Sequence, residues 1–246
     1  MREVRFAAPL TPVIRRLIIV QAAIWFVGLL GLSWFQWEFL ARFLHSTMLH
    51  PSASASDGFL AGSFWQPFTY MWLHDFNSLF HIGFNMLLLW LFGGLFESRW
   101  GGAAFLKFYV LCGIGGAVGT VLAALVAPDL FGNPVLGASG AILGLIAAFG
   151  LIFPRQPIYL WFILPIEGRH IIWLTIVLDT LMFLTDPRGF AFATHMGGLL
   201  TGYLLVTGNW RPALWRDRLR LLGLRRRRGR HLRVVEGDEK PPRWIN

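Results

Sequence analysis

Long uncharged apolar stretches alternate with short polar links along most of this chain. Crossing a bilayer as a helix takes about 20 mostly apolar residues. Six stretches approach that length, over 17–35, 79–96, 108–127, 135–153, 171–185 and 190–207. The fifth is the shortest and carries Asp179. The pattern therefore predicts an all-α membrane protein built as a bundle of six transmembrane helices. Residues 1–16 form a segment before the bundle, 17–208 the bundle itself, and 209–246 a basic tail expected to be partly disordered.

Lys and Arg orient the bundle, because short cytoplasmic loops retain them. Arg2, Arg5, Arg15 and Arg16 precede the first span, Arg99 and Lys107 flank the link between the second and third, and Arg155 and Arg169 lie between the fourth and fifth. The opposite side has no Lys or Arg over 43–98 or 128–134, and its last link holds only Arg188. Both termini are expected on the cytoplasmic side, with Arg42 an interfacial exception. The long outer segment 36–78, with Trp37, Trp65 and Trp72, is expected to lie in the headgroup region, as aromatic side chains do.

Composition agrees with this reading. Of 246 residues, 55% are hydrophobic and 14% charged, against about 45–50% and about 25% in soluble domains. The single Cys112 excludes an intramolecular disulfide. The first apolar run is long and lacks a small-residue cleavage site, which argues against a cleaved secretory signal. The net charge of +9 comes largely from the tail, where Arg225 to Arg228 are consecutive. Beside a last span, such a cluster fixes topology and binds anionic lipid; no nucleic-acid partner is expected.

Polar groups inside spans are costly, so each is a candidate for function. His81 and Asn85 share a helix face at i and i+4. Ser139 and His195 open the fourth and sixth spans, which run in the same direction as the second. All four therefore fall at one depth near the outer face. His195 at that depth can take the Ser139 proton as a general base, making a nucleophile of the hydroxyl. The Ser139 backbone N–H, His81 and Asn85 can donate to an oxyanion. Gly140 with Gly144, and Gly198 with Gly202, are small-xxx-small pairs that let helices approach. Asp179 reads as a hydrogen-bonding group turned into the bundle, and His74 as a structural histidine with satisfied hydrogen bonds. A metal centre of His74, His81 and His195 lacks any HExxH or Cys/His spacing, and no cofactor is expected. The competing classes are a catalytically silent binder of membrane clients and a small transporter. The intact serine and histidine weigh against the first, and the absence of repeated half-helices against the second.

At these residues the chain resembles the rhomboid family of intramembrane serine proteases. The resemblance covers roughly 65–208. It rests on His81-Ile-Gly-Phe-Asn85 for HxxxN, Gly137-Ala-Ser139-Gly140 for GxSG, and His195-Met-Gly-Gly198 with Gly202 for HxxGxxxG. It implies an endopeptidase with a Ser139/His195 dyad and no third acidic member, cutting single-span membrane proteins near the outer interface. It implies an oxyanion site of His81, Asn85 and the Ser139 amide, with Gly137, Gly140, Gly198 and Gly202 packing around it. Glu97 and Gly101 resemble the signature that closes the second helix. Leu143 and Thr194 depart from the family pattern, which often has an aromatic residue and an alanine there. The expected location is a bacterial plasma membrane.

Overall fold

The computed structural model describes residues 10–160, 164–187 and 191–208. Residues 1–9, Arg188 and the tail 209–246 lie outside that set, so the expectations for the first segment and the basic tail are not addressed by it. The described residues up to Val206 form one compact unit. Its elements are α1 (Pro12–Trp34), α2 (Glu38–Thr47), α3 (Leu79–Trp100), α4 (Gly102–Val126), α5 (Ser139–Ile152), β1 (Pro157–Leu160), β2 (Leu164–Glu167), α6 (Gly168–Thr185) and α7 (Phe192–Thr207).

Four of these, α1, α3, α4 and α6, are long and apolar enough to cross a membrane. The six expected spans thus reduce, among the described residues, to four full-length helices plus two shorter ones. The expectation also misjudged which would be short, since α6 has 18 residues while α5 has 14 and α7 has 16. At about 1.5 Å per residue, α5 falls well short of the roughly 30 Å hydrocarbon thickness. Every residue from Gly140 to Gly150 is buried, so α5 is surrounded by protein rather than lipid. Irregular backbone at membrane depth is tolerated only in such a place. The loop 132–138 can therefore enter the protein before the helix begins.

Around α5 the core contains Phe96, Phe105, Tyr109, Ile142 and Leu145, all essentially inaccessible. Apolar side chains on the other faces, among them Phe26, Leu122, Trp173, Leu181 and Leu200, are exposed. Helices with an outward apolar surface suit a lipid surround.

The start of α1 is tied to the end of α3. Thr11 and Pro12 open α1 in the usual way for a helix N-terminus. The Glu97 carboxylate then accepts the backbone N–H groups of Val13 and Ile14, each at 2.9 Å, and the Thr11 hydroxyl. A negative group at a helix N-terminus satisfies orphan donors and opposes the helix dipole. Glu97 is thus a cap supplied from another helix, and Gly101, at φ 81°, makes the turn into α4. Glu97→Ala is expected to cost about 2 kcal/mol, as loss of hydrogen bonds to a charged group does. Thermal denaturation in detergent checks this; an unchanged midpoint contradicts it.

Two features depart from the sequence expectation. The link before α6 is an antiparallel hairpin that pairs Pro157 with Glu167 and Ile158 with Ile166, so the protein is not wholly helical. The outer segment is not uniformly interfacial either. Phe39, Phe43 and Trp65 are exposed, as headgroup contacts require, but Tyr70 and Met71 are fully buried. Leu49 pairs with Val135 through N–H to carbonyl bonds of 3.0 and 2.8 Å, fastening this segment to the loop that leads to Ser139.

Candidate active site

Glycines bring α5 and α7 together. A Cβ on Gly198 would run into the Gly140 carbonyl, and one on Gly202 into the Gly144 carbonyl. The two small-xxx-small pairs therefore face each other with backbone against backbone. α4 joins them through its glycine run, where a Cβ on Gly119 would lie 2.9 Å from the Ala193 carbonyl and 3.0 Å from Gly197 Cα. Thr194, a departure in sequence, shares a 2.6 Å hydroxyl–hydroxyl hydrogen bond with Thr120 of α4. It thereby fixes the first turn of α7 one residue before His195. Gly137 does not belong to this packing, contrary to expectation. It lies in the loop before α5 at φ 125°, a backbone conformation that favours glycine.

With the helices this close, His195 Nε2 stands 2.7 Å from Ser139 Oγ. Ser139 is the first residue of α5 and His195 is in the first turn of α7. His195 Nδ1 lies 2.9 Å from Asp179 Oδ2 of α6, and the two side chains are 12% and 13% exposed. The family resemblance implied no acidic third member, yet the structure brings one to the histidine. The inward hydrogen bond read for Asp179 from sequence is this one.

His81 approaches from α3. The Ser78 hydroxyl accepts the His81 N–H at 3.1 Å and caps the helix. His81 Nδ1 accepts the Asp75 backbone N–H at 3.2 Å, which leaves Nε2 as the protonated, donating nitrogen. A Cβ on Gly137 would lie 3.0 Å from that Nε2 and 3.8 Å from Ser139 Oγ. The absent side chain of Gly137 thus keeps open the space that both atoms border. Asn85 is buried, and its Nδ2 donates to the His81 carbonyl at 2.8 Å, which leaves one amide hydrogen for another acceptor. A helix start also leaves the Ser139 N–H without an intrahelical acceptor.

His74 differs from its expected role. It is fully buried beside His81, with ring centroids 5.2 Å apart, and neither of its ring nitrogens has a hydrogen-bond partner. Burial, with a smaller contribution from His81, pushes its pKa down to about 3. It is a neutral packing group near the site. Tyr70 was not singled out from sequence. Its carbonyl accepts the Gly137 N–H at 3.0 Å and its hydroxyl donates to the Gly113 carbonyl at 2.6 Å, so it braces the loop against α4. A tyrosine among the Trp and Phe of an aromatic segment gives no sequence signal for that role. Among the described residues one group has converging metal-ligand donors, His45, His50 and Asp57 in the outer segment. It includes none of the candidate site residues.

The rhomboid domain model matches residues 61–211. The chain belongs to the rhomboid family. Rhomboid protein 1, mitochondrial, of Saccharomyces cerevisiae is 30% identical over 52% of this chain and 37% of its own length. Rhomboid protease GluP of Bacillus subtilis is 28% identical over 58% of this chain and 25% of its own. The human presenilin-associated rhomboid-like protein, mitochondrial, is 31% identical over 57% and 37%. The chain thus matches between 25% and 37% of these relatives' lengths. They also correct the expectation of a bacterial plasma membrane. The yeast and vertebrate relatives are mitochondrial by name, and the bacterial rhomboid matches a smaller share of its own length.

Proposed function

We propose that this rhomboid is an intramembrane serine endopeptidase, with Ser139 as nucleophile and His195 as general base. The observation that carries the reading is the 2.7 Å contact between His195 Nε2 and Ser139 Oγ at the start of two helices packed through glycine. The Ser139 proton passes to Nε2 as Oγ bonds to the peptide carbonyl carbon. The same proton then goes to the leaving amine. Water completes the cycle by hydrolysing the acyl-enzyme, again with His195 as base. The developing oxyanion is met by the Ser139 N–H, His81 Nε2–H and the remaining Asn85 amide hydrogen.

The substrates are single-span membrane proteins, cut near the interface on the side where α3, α5 and α7 begin. The Lys/Arg asymmetry supports six crossings with both termini on the opposite side, where the basic tail meets anionic lipid. The names of the relatives support a mitochondrial membrane.

The test is cleavage of a model single-span protein in liposomes, with products mapped by mass. Wild type is expected to cut near the membrane surface. His81→Ala is expected to cut about 10²- to 10³-fold more slowly, the usual loss for one oxyanion donor. No cleavage by wild type of any of a panel of single-span proteins contradicts the proposal, and an unchanged rate in His81→Ala removes that residue from the site.

A further inference from the structure

We propose that Asp179 is a positioning residue for this chemistry, its carboxylate accepting the Nδ1–H of His195 and stabilising the imidazolium formed when Ser139 attacks. The inference rests on the serine-protease reading, and it adds a group that the sequence motifs omit. α6 exposes most of its surface: Val177, Leu178, Leu181 and Met182, which flank Asp179, are each about half exposed. A carboxylate on such a helix would face lipid at high cost unless a partner turned it inward. Asp179 is turned inward, and the partner is the nitrogen of His195 opposite the one at Ser139.

Two consequences follow from that geometry. Accepting at Nδ1 fixes the tautomer that leaves the Nε2 lone pair toward Ser139 Oγ, the only arrangement in which the ring can take the serine proton. Once Nε2 is protonated, a carboxylate 2.9 Å from Nδ1 opposes the new positive charge, with both side chains largely buried. Asp179 keeps its own charge throughout; the proton on Nδ1 stays on the ring. Support for the imidazole therefore comes from α6. On α5, Leu143 offers no aromatic face. His81 of α3 is a further titratable group beside His195. Its Nδ1 is occupied by the Asp75 N–H, and it serves as a neutral donor.

The experiment compares wild type, Asp179→Asn and Asp179→Ser, made in parallel so that a folded variant carries the measurement, and Ser139→Ala. Thermal midpoint, kcat, KM and the pH profile of kcat/KM on the single-span substrate are recorded for each. In the folded Asp179 variants, kcat is expected to fall about 10²- to 10⁴-fold, as loss of the acid that orients a catalytic histidine does, with KM little changed. The acid limb is expected to move to lower pH, because the imidazolium has lost its counter-charge. A merely structural role would lower the midpoint and leave the limb where it is. Wild-type kcat with an unmoved acid limb in a folded variant overturns the proposal. Cleavage that persists in Ser139→Ala would instead overturn the serine reading on which it rests.

Discussion

Ser139→Ala and His195→Ala are each expected to abolish cleavage, and the double variant to be no worse than either single one. Serine without its base is a poor nucleophile, and the base without serine has nothing to activate. Groups that act as a unit lose nearly everything at the first deletion. Two independent contributions would instead multiply, leaving the double variant far below both singles. For Ser139→Ala stability should hardly move, since an interhelical hydrogen bond in a membrane averages about 0.6 kcal/mol, whereas His195→Ala also leaves Asp179 without its partner and is expected to lower the midpoint. The measurement is single-turnover cleavage in liposomes with the thermal midpoint recorded beside it. Losses that add in free energy, or a Ser139→Ala midpoint that collapses with activity, would contradict a catalytic pair.

The second large effect concerns packing. Gly198→Ala adds one methyl group where the Gly140 carbonyl already sits. Because backbone lies on both sides, no rotamer change relieves the clash, and α5 and α7 must separate. Overpacking usually costs about 1–3 kcal/mol, more when backbone must shift. Here Ser139 and His195 must also separate, since they stand on the two helices that part. Activity is therefore expected to fall at least about 10²-fold, as misplacement of reacting groups by about 1 Å does. Gly83→Ala is the contrast. A Cβ at Gly83 of α3 meets nothing within 4 Å, and alanine in a helix gains about 0.4–1 kcal/mol over glycine. That variant should be at least as stable as wild type and fully active. Equal behaviour of the two alanines would show that the glycine contact does not set the site.

Much of this site is legible in sequence because membrane burial makes polar residues conspicuous. His81, Asn85, Ser139 and His195 stand out against apolar helices, and the position of His81, Ser139 and His195 in the first turns of three like-directed spans foretells the approach of these three. The glycines at 140, 144, 198 and 202 foretell how closely the helices approach. What sequence does not show is which end of a short apolar run becomes helix. The run 135–153 reads as one span, yet the helix starts only at Ser139, because Gly137 at φ 125° and the Leu49–Val135 pairing hold the preceding loop extended. Periodicity also assigns no partner. Asp179 was recognisable as a buried acid, but its neighbour depends on the rotation of α6, which an almost uniformly apolar helix does not encode. The hairpin before α6 was missed for a similar reason, its strands being only four residues each beside long apolar helices.

The central claim is that Ser139 is a nucleophile activated by His195. A fluorophosphonate probe bonds covalently to such a serine, so mass analysis of the labelled protein tests it without any need to know the natural substrate. The expected result is one adduct on Ser139 in wild type, with labelling lost in Ser139→Ala and strongly slowed in His195→Ala. A folded wild-type protein that takes up no label, or one that labels equally well as Ser139→Ala, would contradict it.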